Sequence, residues 1–156
     1  METLRYKYNL NGKFVCLCVS INWPERKGFS DFLKLSALLD KTTMIFLIGL
    51  TKKQMEQLPA NIVGIARTEN KEELAALYSM ADVFLNPTWE DNFPTTNLEA
   101  LSCGTPIITY NTGGSIESVN SETGLIVEKG DIQGLANAVK IIKVNGKEFY
   151  SKACRD

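Results

Sequence analysis

A chain of 156 residues with 17 Lys and Arg against 18 Asp and Glu is long enough for one packed core and short for two, and it gathers no basic face of the kind a nucleic-acid backbone requires. Cys16, Cys18, Cys103 and Cys154 are dispersed, with no C-x-x-C pair and no histidine beside them, so they exclude the common zinc frameworks and read as buried thiols of a reducing compartment. Met1 to Leu10 is polar and aromatic, and no apolar stretch nears the ~20 residues of a membrane-spanning helix; the expectation is a cytoplasmic protein, with peripheral attachment at the inner membrane face left to a partner domain.

Residues 1–13 read as a lead-in, and one domain is expected over 14–156. Phe14 to Ser20 is an apolar run suited to a first strand. After a loop holding Pro24 and Gly28, the residues Phe29, Phe32, Leu33, Ala37 and Leu39 fall near one helical face, and this helix is expected to end around Asp40. Met44 to Gly49 gives a second strand, a short helix near Lys52 to Gln57 stops before Pro59, and Asn61 to Ala66 gives a third strand. Asn70, with Glu73 three residues on, forms a capping-box-like start to a helix carrying Leu74, Leu77, Tyr78 and Ala81. Val83 to Leu85 is a brief fourth strand closed by Asn86 and Pro87, and a helix from about Pro94 to Cys103 ends at Gly104. Pro106 to Tyr110 is the fifth strand, Ser115 to Val119 a short helix and Gly124 to Val127 the sixth strand. Ile132, Leu135, Ala136, Val139 and Ile142 mark a last long amphipathic helix.

This alternation predicts an α/β fold, a doubly wound parallel six-stranded sheet of Rossmann-like type with helices on both faces. In such a sheet the ligand lies beyond the carboxyl ends of the strands where the chain order reverses, here between strands one and four. The loops Asn22 to Gly28 and Asn86 to Glu99 follow those two strands. They are therefore expected side by side.

The second loop carries Trp89, Glu90, Asp91, Asn92, Phe93, Pro94, Thr95 and Thr96 into a helix. A helix start leaves backbone N–H groups unpaired and positively polarised, a cradle for phosphate. Glu99 lies four residues after Thr95 and three after Thr96, so it shares their helical face and leans back toward the helix start. There an ionised carboxylate suits the two neighbouring hydroxyls of a ribose. Taken singly, Asp91 or Asn92 reads as a helix cap and Glu99 as a solvated charge; the combination favours a ligand. In the first loop, Arg26 and Lys27 precede Gly28 and a helix, where a lysine suits neutralisation of a diphosphate leaving group and otherwise reads as a solvated loop charge. Gly49 and Arg67 close strands two and three near the same edge, and either is a candidate border for a nucleotide base. Trp23 and Trp89 read chiefly as core or lid packing, Cys103 as a small buried residue, and Gly113 and Gly114 as a tight turn.

Asn86-Pro87-Thr88 through Glu99-Ala100, then Cys103-Gly104-Thr105-Pro106 and Thr112-Gly113-Gly114, resemble the signature of glycosyltransferase family four, whose members pair two Rossmann-like domains in the arrangement called GT-B. In that family an acidic residue, seven intervening residues and a glutamate bind the donor, and Asp91 and Glu99 have that spacing; Glu90 falls outside it. By this resemblance Asp91 meets the donor sugar, Phe93, Pro94, Thr95 and Thr96 line the sugar and diphosphate, Glu99 holds the ribose, and Lys27 faces the diphosphate. The sequence departs from the pattern in having Asp rather than Glu as the first acid, Pro94 in place of a glycine, and Ile21 where an arginine usually grips the diphosphate. Either Arg26 takes over that grip or the diphosphate is held with one fewer charge.

The resemblance implies transfer of a sugar from a nucleoside-diphosphate sugar to a glycan or lipid-linked acceptor with retained configuration, without a metal ion or other cofactor. It also implies a separate N-terminal domain for the acceptor, which carries the family's active-site histidine, and inactivity of this half alone. Two other readings stand beside it: a non-catalytic nucleotide-binding or regulatory module, and a GT-B sugar-nucleotide epimerase.

Overall fold

The computed structural model describes residues 2–20, 23, 28–87, 95–111, 119, 120 and 122–155, and at 2, 3, 95 and 96 the backbone alone. Six strands, β1 (Phe14–Val19), β2 (Thr43–Ile48), β3 (Ile62–Ile65), β4 (Val83–Asn86), β5 (Ile107–Tyr110) and β6 (Gly124–Val127), form one sheet in the order β3-β2-β1-β4-β5-β6. Every recorded pairing is parallel, with Cys16 opposite both Ile45 and Val83 and Phe84 opposite Ile107. The expected doubly wound sheet is therefore present, with its order reversing between β1 and β4.

The strands are continuous apolar runs because the sheet is covered on both faces. Val15, Cys16 and Leu17 of β1, Ile45, Phe46 and Leu47 of β2, and Val83, Phe84 and Leu85 of β4 are all fully buried. The helices are α1 (Glu2–Lys7), α2 (Phe29–Ser36), α3 (Lys52–Met55), α4 (Lys71–Met80), α5 (Thr95–Ser102), α6 (Ile132–Asn145) and α7 (Glu148–Arg155). They pack in two groups, α2 with α6, and α4 with α1 and α5, the last also holding α7. Right-handed crossovers account for this division, since connections running toward β3 and toward β6 must lie on opposite faces.

Local chemistry sets the element ends. The helix from Phe29 stops at Ser36, earlier than Asp40, because Leu38 N–H and Leu39 N–H turn back to the carbonyls of Leu35 and Ser36 while the Asp40 carboxylate gathers Thr42 N–H, Thr42 Oγ1 and Thr43 Oγ1. Asn70 Oδ1 accepts from Glu73 N–H at 2.8 Å as the cap of α4. A reciprocal box lies at α3, where Thr51 and Gln54 bond each other's backbone. The helix carrying Ile132 is not the last: α7 follows and buries Tyr150 and Cys154. Within the lead-in, α1 is held by Arg5, whose guanidinium donates to the carbonyls of Lys13 and Met80 and to Asp82 Oδ2 at 2.8, 2.9 and 3.1 Å. Asp82 Oδ2 in turn accepts from Val15 N–H at 2.8 Å, joining the lead-in to β1. Among the described residues no helix is long and apolar enough to cross a membrane.

Candidate functional site

Gly28 and Pro87 bring the two loops together at the switch point. Gly28 caps the start of α2 at φ 87°, and a Cβ placed on it would stand 2.4 Å from the Pro87 carbonyl oxygen. Only a glycine admits both that left-handed backbone and that approach. Trp23, in the first loop, is buried against Phe29 and Phe32 and donates its indole N–H to the Ile48 carbonyl at 2.9 Å. It packs in the core, as its sequence context suggested.

The second loop is anchored at both ends by buried amides. Asn86 Nδ2 donates at 3.0 Å to Asn97 Oδ1, and Thr109 Oγ1 donates at 3.1 Å to the Asn86 carbonyl. Asn86, Asn97 and Thr109 are all buried, so this chain fixes the first turn of α5 to the carboxyl ends of β4 and β5. Thr95 and Thr96 open α5. One turn later Glu99 is exposed, and its Oε2 accepts a 3.0 Å hydrogen bond from the Tyr78 hydroxyl. Arg26, Lys27, Asp91, Phe93 and Pro94 lie outside the described residues, as do Trp89, Glu90, Gly113, Gly114 and most of the helix expected at Ser115 to Val119.

Several contacts at this edge are not visible as motifs. Tyr78 reads from its spacing as a core residue, and its ring is indeed buried against Phe84 with centroids 5.5 Å apart. A buried phenol nearly always needs a partner for its hydroxyl, which is the one signal that leads from Tyr78 to Glu99. Burial and the adjacent Glu99 carboxylate push ionisation of Tyr78 far above the ordinary tyrosine range, so its hydroxyl stays a donor. A second pair joins other elements: the Tyr110 hydroxyl donates to Asp31 Oδ2 at 2.6 Å, tying β5 to the first turn of α2. Cys103 is half-buried rather than buried, with its Sγ 3.8 Å from the Ala75 carbonyl.

Beyond the carboxyl ends of β1, β2 and β3 lies a cleft of about 260 Å³ lined by Val19, Ser20, Gly49, Ala66, Arg67 and Thr68. It brings Gly49 and Arg67 together on the side of the switch point away from β6. A larger hollow of about 760 Å³ opens between α1, α4 and α7, lined in part by Arg5, Asp82, Lys147 and Arg155. There Lys147 donates to the Ser79 carbonyl, and burial holds its ammonium below the ordinary lysine range. Among the described residues no three His, Cys, Asp or Glu side chains gather as a metal-binding group.

The sequence profile of the family described as Glycosyl transferases group 1 matches residues 13–143. An alpha-galactosylglucosyldiacylglycerol synthase of Streptococcus pneumoniae is 37% identical over 97 residues, covering 54% of this chain and 25% of that protein. A GDP-mannose-dependent alpha-(1-6)-phosphatidylinositol monomannoside mannosyltransferase of Mycolicibacterium smegmatis is 29% identical over 154 residues, covering 87% of this chain and 40% of that protein. The crystal structure of Anabaena HepE in complex with UDP-glucose superposes with a TM-score of 0.84 at 18% identity, over 99% of this chain and 45% of that one. The chain thus spans between a quarter and somewhat under half the length of these relatives.

Proposed function

Because the chain belongs to the glycosyl transferases group 1 family, we propose that it is the donor-binding half of a two-domain retaining glycosyltransferase, taking a nucleoside-diphosphate sugar and passing the sugar to a glycan or lipid-linked acceptor held by the other half. The observation that carries this reading is the meeting of Gly28 and Pro87 at the switch point, with the start of α5 and the exposed Glu99 carboxylate following directly from that loop. Helix N–H groups receive the diphosphate, and Glu99 accepts from the ribose hydroxyls. Lys27 and Arg26 offset negative charge as the diphosphate leaves, Asp91 meets the donor sugar, and Phe93, Pro94, Thr95 and Thr96 line the sugar and diphosphate. These roles need no metal ion. The cleft at Gly49 and Arg67 takes the nucleotide base. A UDP-glucose complex in the structurally similar HepE supports the ligand class. Relatives that make glycolipids support a lipid-linked acceptor and peripheral work at the inner membrane face.

Glu99→Gln tests the reading. Replacing a charged acceptor should cost about 1.5–3 kcal/mol, or roughly tenfold or more in affinity for UDP or GDP, while Glu90→Gln should have little effect. Calorimetry with the 2′,3′-dideoxy nucleotides supplies the control, since Glu99→Gln should hardly alter binding of ligands without those hydroxyls. Equal losses for both ligand types would reject the ribose role.

A further inference from the structure

We propose that Tyr78 is a positioning residue for the donor ribose, its hydroxyl holding the Glu99 carboxylate by Oε2 so that Oε1 is presented to the ribose hydroxyls. The inference rests on the reading of Glu99 as the ribose acceptor and adds a residue from a different helix to that subsite. Tyr78 is 1% exposed; its ring packs on Phe84 of β4, and its backbone carbonyl accepts from Thr105 Oγ1 at 2.6 Å. The aromatic ring is thus fixed by the core and the peptide by the turn after α5. The hydroxyl is the side chain's polar atom, and it meets Glu99 Oε2 at 3.0 Å.

A neutral phenol supplies one proton and a carboxylate several lone pairs, so the bond to Oε2 is satisfied by α4 while Oε1 keeps its accepting capacity toward solvent. Glu99 is an exposed helix residue, and an unsupported glutamate there would sample several rotamers, each of which a ligand would have to freeze on binding. The phenol restricts those rotamers before the nucleotide arrives.

The test compares Tyr78→Phe, Glu99→Gln and the double variant of the intact chain by calorimetry with UDP, GDP and their 2′,3′-dideoxy forms. Tyr78→Phe keeps the ring and removes only the hydroxyl; it should weaken ribonucleotide binding about three- to tenfold and leave dideoxynucleotide binding within about twofold. Added to Glu99→Gln, it should weaken ribonucleotide binding by less than about twofold more, because the two substitutions remove one device. Equal losses for both ligand types, no loss at all, or full multiplication of the losses in the double variant would each overturn the proposal. If Glu99→Gln itself fails to distinguish ribose from dideoxyribose, the reading of Glu99 falls and the proposal with it. If Glu99→Gln distinguishes them and Tyr78→Phe does not, only the role of Tyr78 falls. Should Tyr78→Phe fail to fold, Glu99→Asp carries the test: it keeps the charge but stops one methylene short of the phenol, so the preference for ribose should drop several-fold, and an undiminished preference overturns the proposal.

Discussion

The Tyr110 hydroxyl donates at 2.6 Å to the Asp31 carboxylate, and both side chains are buried. Hydrogen bonds to charged groups are worth about 1.5–3 kcal/mol, so Tyr110→Phe should lower the unfolding free energy by about that amount in denaturant titrations. Burial first, then the bond and charge of Asp31, raises the ionisation of Tyr110 above its ordinary range. A tyrosine whose folded value exceeds the unfolded one near 10 contributes stability that is complete below about pH 10 and is lost as pH rises through the folded value. Alkaline unfolding should therefore begin above pH 10, with phenolate absorbance from Tyr110 appearing together with loss of structure rather than before it. Appearance of its phenolate in the still-folded chain would contradict this. Neither this pair nor Tyr78 with Glu99 is legible in the sequence, because the partners lie 79 and 21 residues apart and belong to no common periodicity. The place of Glu99 one turn after Thr95 and Thr96 was legible, since α5 converts that spacing into position.

At the scale of elements, the start of α2 depends on Gly28. An alanine there would have to hold a left-handed backbone, which costs an L residue about 1–2 kcal/mol, and its Cβ would fall 2.4 Å from the Pro87 oxygen. Gly28→Ala should therefore lower stability by at least about 1–2 kcal/mol, read from the denaturant midpoint, and should part the two loops. Weakened UDP or GDP binding in the folded variant is the second expected outcome, and unchanged stability would show that the loops are not held together here. The six strands were legible because each is a short, mainly apolar run, buried along most of its length at β1, β2, β4 and β5 and in part at β3 and β6, and the long helices because α4 and α6 each turn one apolar stripe to the sheet. The helices α1 and α7 were not. Arg5 secures α1 through hydrogen bonds to Lys13, Met80 and Asp82, all outside that helix, and α7 buries only Tyr150 and Cys154 among charged neighbours, so neither carries the repeated apolar pattern by which a helix announces itself.

Across the whole molecule, the strand order brings the starts of α2 and α5 to one edge of the sheet, beyond β1 and β4, where the donor site is proposed. The alternation of strands and helices foretold this order, and the two long loops follow β1 and β4, the strands that adjoin where the direction of winding changes. What such an edge supplies is a helix start, a carboxylate and a cleft beside them; sugar transfer further requires an acceptor held in line with the donor and exclusion of water from the reacting centre. In the proposed two-domain enzyme both come from closure of the other half over this edge. The chain by itself should therefore bind UDP or GDP weakly and transfer no sugar. Calorimetry measures the first part, and incubation with radiolabelled UDP-glucose or GDP-mannose and a lipid acceptor, followed by extraction and counting, measures the second. Nucleotide binding without labelled acceptor is the expected outcome. Labelled acceptor formed by the chain alone would sink the two-domain part of the reading while leaving the donor site intact, because transfer would then need no more than the elements around β1, β4 and α5.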